Sequence, residues 1–357
     1  MPDSKTPDPD RDRATARKLV RTVVLAQCNI FIRELLRKKK IPIGITKQDF
    51  EGNLLRAINA GDLQLGDLIE WLEEVEGWGD QHVYLYHVPA AMTTDPLWNS
   101  ADAVKERLPA AARKFWNADS LVFPEKWSLT SISYGERSLR YVWHERLTTL
   151  LRRPKMDRRE KIDGDWYQFR AQLERPDRSV MRFVIELDRR LAAVFMQIPV
   201  EGDEHQIALQ MVQEATKPLI EWKALEPFSA SDAIKNLDQS ALENEAMAKV
   251  KSKRTRLTDA DNYVEFASTS ESGYRQSEAI RSVRRAVKPE NFAGNVGVFL
   301  YDARTPTQQQ RPVKIDIFGE ERRIKLWAQL KASEVWEILE LLRNSEQWQT
   351  KARTGTS

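Results

Sequence analysis

Apolar residues recur every three or four positions through the first part of the chain, the spacing that places side chains on one face of an α-helix. Three such stretches follow one another, over residues 14–40, 46–60 and 66–76. Gly77 and Gly79 interrupt the pattern directly afterwards, as expected at a helix end. The first part of the chain is therefore predicted to be a small all-helical bundle.

At residues 82–87 the period shortens to two, which indicates a β-strand that ends at Pro89. More alternating runs follow at residues 127–131, 139–143, 166–173, 181–185 and 191–198. Turn residues separate these runs, including Pro176 with Asp177. Because connections this short cannot carry a parallel crossover, we expect an antiparallel meander, covered by a helix over residues 206–219.

The last third of the chain contains a polar, basic stretch and then a second set of alternating runs. Residues 229–256 are predicted to be a polar helix or linker, and they end in five cations with no acid between them, Lys249, Lys251, Lys253, Arg254 and Arg256. Alternating runs then occur at residues 263–266, 296–300, 313–317 and 324–330. A helical pattern closes this second β-rich region.

These patterns predict an α+β protein, with a small N-terminal helical bundle followed by antiparallel β-sheet regions backed by helices. The predicted parts are a disordered segment at 1–13, a helical domain at 14–80, an antiparallel sheet domain with packing helices at 81–228, a basic helix or linker at 229–256, a second β-rich region with a C-terminal helix at 257–348, and a tail at 349–357.

Composition narrows the class of protein. A chain of 357 residues that is 41% hydrophobic and 31% charged is typical of a soluble globular protein with two domains. The single cysteine, Cys28, excludes a disulfide framework and a multi-cysteine zinc site, and it favours a reducing compartment. The sequence has neither a signal-peptide pattern nor eighteen consecutive apolar residues. We expect a cytoplasmic, or nuclear or nucleoid-associated, protein without membrane association.

The charge of the N-terminal part is strongly uneven. Residues 1–40 carry eleven Lys and Arg against five Asp and Glu, whereas residues 41–80 carry two against nine. A concentrated positive charge attracts polyanions, because each neutralised phosphate releases counterions. The candidate nucleic-acid-binding residues are Arg17, Lys18, Arg21, Arg37, Lys38, Lys39 and Lys40, with Lys251, Lys253 and Arg254 in the later basic stretch. The alternative is that the basic and acidic helix faces are solvated or pair with each other.

Tryptophan is abundant, with eleven residues. Trp127, Trp143 and Trp166 fall on predicted strands, where they would form either part of a core or a stacking surface for bases, core packing being the favoured reading. The acids and bases between residues 152 and 165 are expected to pair with one another in a mobile loop.

Catalytic motifs are lacking: there is no phosphate-binding loop, dinucleotide fingerprint or nucleophile elbow. His82 and His87 lie five apart on one predicted strand and so face opposite sides, which disfavours a shared metal. Glu186 and Asp188 are the only weak candidates for metal ligands. We expect no catalytic residue, no metal and no cofactor.

The order of elements resembles the centromere protein N family, a kinetochore subunit. Residues 49–86, DFEGNLLRAINAGDLQLGDLIEWLEEVEGWGDQHVYLY, occupy the helix, loop, helix and first-strand positions, with Gln81 and His82 before the apolar strand residues. The features that follow in the family's order are Ala111, Arg113, Phe115 and Trp116, then the strands SLRYVWHERLT, MRFVIEL and LAAVFMQIP. The likeness covers most of the chain as architecture but includes no diagnostic motif.

This resemblance implies a pyrin-type helical domain followed by an antiparallel sheet. It also implies binding to DNA and histone surfaces through a basic groove, and pairing with a related subunit. Lys18, Arg21 and residues 37–40 would then lie by that groove. A centromeric role is not carried over, since a subunit of a bacterial defence or chromosome-associated complex fits the same architecture.

Three classes of function follow from the sequence. The first is a non-enzymatic protein that binds nucleic acid, expected to be DNA, through basic patches on the helical domain and the sheet, with steep salt dependence. The second is a protein-interaction adaptor or scaffold subunit whose binding tolerates salt. The third is a metal-dependent enzyme. The sequence does not indicate an oligomeric state.

Overall fold

The computed structural model describes residues 9–346, apart from 119–120, 153, 198–203, 244–249, 260–261, 270–272, 274–276, 288–290 and 303–311. The predicted α+β class is confirmed, since N-terminal helices precede a large antiparallel sheet. Within these residues, no helix combines the length and apolar character needed to cross a bilayer. The predicted tail at 349–357 and the first eight residues lie outside the described part.

The chain divides into two compact units. The first takes its described residues from Met1–Glu73, Asp119–Thr130 and Trp143–Val180. The second takes them from Glu74–Ala118, Ser131–Val142 and Met181–Ser357.

Helices α1 Pro9–Thr22, α2 Asn29–Lys38 and α3 Lys47–Ala60 belong to the first unit, as does α4 Leu65–Val75 up to Glu73. The prediction of disorder up to residue 13 is wrong from Pro9 onward. Proline at the first helical position, with Asp10 and Asp12 in the first turn, favours helix initiation at this point.

The predicted helix over residues 14–40 is two helices. Val24–Ala26 form a 3₁₀ turn after α1, and Gln27 and Cys28 are extended, with ψ values of 162° and 149°. Val24 and Leu25 are buried, so the break turns apolar residues inward. No glycine or proline marks it, which is why the sequence pattern did not show it.

The third helix begins and ends as predicted. The Thr46 hydroxyl accepts a hydrogen bond from the Asp49 N–H, and the Asp49 carboxylate accepts one from the Thr46 N–H, which is a capping box. The hydrogen bond from the Thr46 N–H, followed by those from the Thr46 hydroxyl and the Ile45 N–H, holds the pKa of Asp49 below its usual value. Gly61, with φ of +87°, ends the helix in a left-handed conformation that glycine adopts without strain.

The strands are β1 His82–His87, β2 Ser128–Gly135, β3 Ser138–Arg152, β4 Arg158–Ile162, β5 Asp165–Phe169, β6 Gln172–Glu186, β7 Leu191–Met196, β8 Glu226–Pro227, β9 Val250–Asp259, β10 Asn262–Ala267, β11 Ala293–Tyr301, β12 Val313–Phe318 and β13 Arg323–Leu326. The remaining helices are α5 Ala90–Thr93, α6 Ala101–Arg107, α7 Ala110–Arg113, α8 Glu204–Thr216, α9 Ala230–Glu243, α10 Glu278–Val287 and α11 Ala332–Glu346.

The larger sheet has the strand order β10-β9-β11-β12-β13-β1-β7-β6-β3-β2, with β8 beside β1. The two predicted β regions are therefore one sheet, not two. Strand β1 joins them, because it pairs antiparallel with β7 from His82↔Met196 onward and with β13 through His82↔Lys325.

The prediction of a helix or linker at 229–256 is wrong from Val250 onward. Helix α9 covers Ala230–Glu243, but Val250 begins strand β9, which pairs with β10 on one side and β11 on the other. Val250, Ser252 and Thr255 are buried between half-buried cations. A period of two was present, but the alternating Lys and Arg residues concealed it.

Two predicted irregular segments are regular. The expected turn at Pro176 and Asp177 lies inside the continuous strand β6. The expected mobile loop at 152–165 contains β4, which forms a separate two-stranded sheet with β5 in the first unit.

The core of the second unit centres on strand β7. Phe195 is fully buried, with ring centroids 5.3 Å from Trp78 and 6.0 Å from Trp336. Apolar residues of α9 and α11 complete this side of the sheet. On β1, Tyr84 instead contacts His205 of α8, and Tyr86 contacts Trp222.

Candidate nucleic-acid interface

The seven N-terminal candidate cations lie in the first unit. Arg17, Lys18 and Arg21 are exposed on α1. The other four, Arg37, Lys38, Lys39 and Lys40, form the C-terminal turn of α2 and the residues after it. Lys40 has φ of +55°, a left-handed conformation directly after the end of α2.

Three of these cations pair with acids of the 41–80 segment. Arg21 contacts Glu51 at 3.2 Å, Lys38 contacts Glu70 at 3.8 Å, and Lys39 contacts Asp67 at 2.5 Å. Burial alone would raise the pKa of Asp67, but hydrogen bonds from Lys39 and the Gln64 N–H keep it below its usual value. For these three residues, pairing of basic and acidic faces is the observed arrangement.

The other four have no acidic partner within the described part of the chain. The Arg17 Nη2 donates to the Asn59 Oδ1 at 2.6 Å, which leaves its charge uncompensated. The Lys18 Nζ lies 5.8 Å from the Phe123 ring centroid, a cation–π contact. Arg37 and Lys40 are exposed. These residues, named below as the unpaired cations, are Arg17, Lys18, Arg37 and Lys40.

The three later candidates occupy strand β9 in the second unit. Lys251 lies 4.0 Å from Asp302, and Arg254 contacts Glu265 at 2.9 Å, as does Arg256. The hydrogen bond from Arg254, followed by that from Arg256, lowers the pKa of Glu265. Lys253 is half-buried on the same strand. These residues belong to a sheet, not to an extended polybasic linker.

The hairpin of β4 and β5 is a second exposed, charged surface in the first unit, and it was not among the candidates. Every residue of both strands is exposed. Asp163 and Gly164, with φ of +51° and +95°, form the two-residue turn, whose positive φ values suit an antiparallel hairpin. An Asp-Gly pair between two short runs is the local signal that identifies it.

Aromatic side chains of the hairpin contact arginines. The Arg159 guanidinium lies 5.6 Å from the Trp166 ring, and Arg158 lies 5.1 Å from the Phe169 ring. Of the three tryptophans singled out on strands, Trp143 is buried and Trp127 half-buried, whereas Trp166 is 65% exposed. Core packing is therefore wrong for Trp166.

The root of the hairpin is held by an ion pair. The Arg152 guanidinium contacts the Asp157 carboxylate, and the Ala171 N–H donates to the same carboxylate at 2.9 Å. The hydrogen bonds from Arg152 and then from Ala171 lower the pKa of Asp157 to about 2. This pair connects the end of β3 to the segment between β5 and β6.

The candidate metal ligands Glu186 and Asp188 have other partners. The Ser138 hydroxyl donates to Glu186 at 2.8 Å, and burial raises the pKa of this carboxyl. Asp188 contacts Arg137 at 2.6 Å. Across the described residues, no three His, Cys, Asp or Glu side chains are arranged to hold a metal ion.

Each of the two histidines of β1 also has a polar partner. The His82 Nδ1 lies 2.7 Å from the Arg323 Nη1, and the His87 Nε2 lies 2.6 Å from the Glu346 carboxylate.

Comparison of the sequence with known proteins identified no family: no protein-family model matches the chain, and no curated protein matches it.

Proposed function

We propose that this protein binds nucleic acid, with DNA as the expected ligand, through the unpaired cations of its first unit and without catalysing a reaction. The proposal rests on one observation. The four unpaired cations are exposed and have no acidic partner among the described residues. An arginine or lysine that is not neutralised by the protein retains its charge for a phosphate. The resemblance to centromere protein N supports the same class of ligand.

We infer that the cations of the basic cluster contribute unequally to phosphate binding. Lys38 and Lys39 already contact Glu70 and Asp67, so a phosphate would have to compete with a carboxylate for them. Arg37 and Lys40 meet no such competition in the described chain, and we assign them the larger share of phosphate binding. Contacts of this kind carry no sequence information, so binding should be largely independent of sequence.

Replacing Arg37 and Lys40 by glutamine should weaken duplex DNA binding and flatten its salt dependence. Each lost phosphate contact lowers the slope of log affinity against log salt concentration by about 0.9, so the double variant should lose up to about 1.8. The measurement is a titration of labelled duplex DNA at several salt concentrations. Both substitutions are exposed, so the melting temperature should be unchanged.

The matched control is Lys105→Gln with Lys223→Gln, which removes two exposed charges from the second unit. This control variant should show the same slope of log affinity against log salt concentration as the native protein, within experimental error. Absence of binding by the native protein, or equal slopes for all three proteins, would refute the assignment.

A protein-interaction adaptor is the second candidate, and one observation favours it. Exposed apolar residues concentrate between positions 147 and 173, namely Leu147, Leu150, Met156, Ile162, Trp166, Tyr167, Phe169 and Leu173. Exposed apolar side chains that form a contiguous patch mark an interaction surface. An adaptor would retain its partner at high salt, whereas the proposed DNA complex would dissociate.

A further inference from the structure

One face of the β4–β5 hairpin is cationic, aromatic and free of acids. Cross-strand partners share a face, and the register pairs Arg159 with Gln168 and Lys161 with Trp166. These four residues, named the Trp166 face, alternate with Glu160 and Asp165, which lie on the opposite face. The hairpin thus separates two cations and an indole from its own carboxylates.

The Trp166 ring is not used to build a core. It is 65% exposed, and its described ring contact is the Arg159 guanidinium at 5.6 Å. A cross-strand pair or a cation–π contact stabilises a hairpin by only about 0.5–1 kcal/mol, and smaller side chains also serve at such positions. Hairpin stability alone therefore accounts neither for the size of this ring nor for the placement of Glu160 and Asp165 on the other face.

We propose that the Trp166 face binds single-stranded nucleic acid, with one base stacked on the indole and phosphates held by Arg159 and Lys161. This inference rests on the proposed function and adds a second site with a different ligand form. A single strand presents the faces of its bases, while in a duplex those faces are already stacked on their neighbours. Gln168 contributes a neutral amide that can donate to or accept from a base edge.

Charge and polarity select this ligand over other occupants. The positive face complements a phosphate backbone, and the aromatic ring supplies the stacking that an acidic peptide does not need. A bilayer surface requires a broader apolar area than one indole among three polar side chains. The ligand is therefore an unpaired strand, bound with little preference for sequence.

Trp166→Ala in the full-length protein should weaken binding of a labelled thymidine 15-mer by about 5- to 150-fold, the effect of losing one stacked base. Its affinity for a duplex of the same length should change less than about twofold, because a duplex cannot use the ring. Trp166→Phe retains an aromatic face and should restore single-strand affinity to within about threefold of the native protein.

Tyr167→Ala is the matched control, since Tyr167 is an exposed aromatic residue on the opposite face. It should leave single-strand affinity unchanged. Arg159→Gln with Lys161→Gln tests the face without removing the ring, and it should lower the salt slope for the 15-mer by up to about 1.4, from about 0.7 per contact.

The outcomes separate this inference from the proposed function. If duplex binding follows the unpaired cations while Trp166→Ala leaves single-strand binding unchanged, the stacking site is wrong and the proposed function stands. Equal losses for Trp166→Ala and Tyr167→Ala would also overturn it. So would tighter binding to anionic phospholipid vesicles or to an acidic peptide that depends on Trp166. If no nucleic acid binds, both proposals fail.

Discussion

Alanine at position 79 is expected to lower the free energy of unfolding by about 2–4 kcal/mol, the cost of forcing an atom into a space with no room for it. A Cβ on Gly79 would lie 2.1 Å from the Ala328 carbonyl oxygen and 2.1 Å from the Leu330 nitrogen. Both are backbone atoms, so no side chain can rotate away. The Asp80 N–H also donates to the Ala328 carbonyl at 2.7 Å, and moving these two segments apart would lengthen that bond.

Denaturant unfolding followed by circular dichroism measures the effect. Gly135→Ala is the matched control in the same unit, because a Cβ there would meet nothing within 4 Å. It should change stability by less than about 0.5 kcal/mol. If the two alanine variants unfold at the same denaturant concentration, the close approach at Gly79 does not exist in solution.

Acid should destabilise the second unit through His82. The imidazole is buried, its Nδ1 lies 2.7 Å from Arg323 of β13, and its ring lies 4.8 Å from the His205 ring of α8. Because a guanidinium can only donate, His82 accepts at Nδ1 and is neutral. Burial, followed by the charges of Lys325 and Arg323, lowers the pKa of His82 to about 3.

The direction of the pH effect follows from this pKa. In the unfolded chain His82 titrates near its ordinary value of 6.5, so below that pH the unfolded state takes up a proton that the folded state refuses until about pH 3. Stability is thus fully present above pH 6.5 and is lost as the pH falls toward 3. Between pH 7 and pH 4 this residue should account for about 3 kcal/mol.

The test compares unfolding at pH 7 and pH 4 for the native protein and His82→Asn. Asparagine retains an oxygen that can accept from Arg323 but does not titrate. The variant should therefore lose less stability on acidification than the native protein. Identical losses would show that His82 is not the group that resists protonation.

The spacing of apolar residues was sufficient to predict the helices and strands that bury one face. The helices ending at Gly61 and before Gly77, and strand β1, follow directly from such patterns. The pairing of β1 with β13 could not be predicted in this way, because the pattern of a strand shows which face is buried but not which distant strand lies beside it. Strand β9 was missed because its outward residues are long cations, typical of a solvated linker.

The sequence predicted where the candidate site lies, but not which of its cations contact acids. The sequence shows that Lys38 and Lys39 are adjacent to Arg37 and Lys40, yet only the folded chain shows that two of them meet Asp67 and Glu70 on another helix. The hairpin was overlooked for a related reason. The predicted pairing of its charges is confirmed for Arg152 with Asp157 and for Arg158 with Glu160. The two-residue period nevertheless places Arg159 and Lys161 on the face opposite Glu160 and Asp165.

The position of β1 in the sheet has a consequence for biosynthesis. β1 gains its β7 neighbour once Met196 has been added, but at His82 and Val83 its other edge stays open until Arg323–Leu326 are made. At typical elongation rates that interval is on the order of ten seconds. An uncovered strand edge is a template for pairing with foreign β-segments. A growing chain that stalls between these two points would therefore expose the centre of its future sheet, and protection at that stage must come from the ribosome or a chaperone.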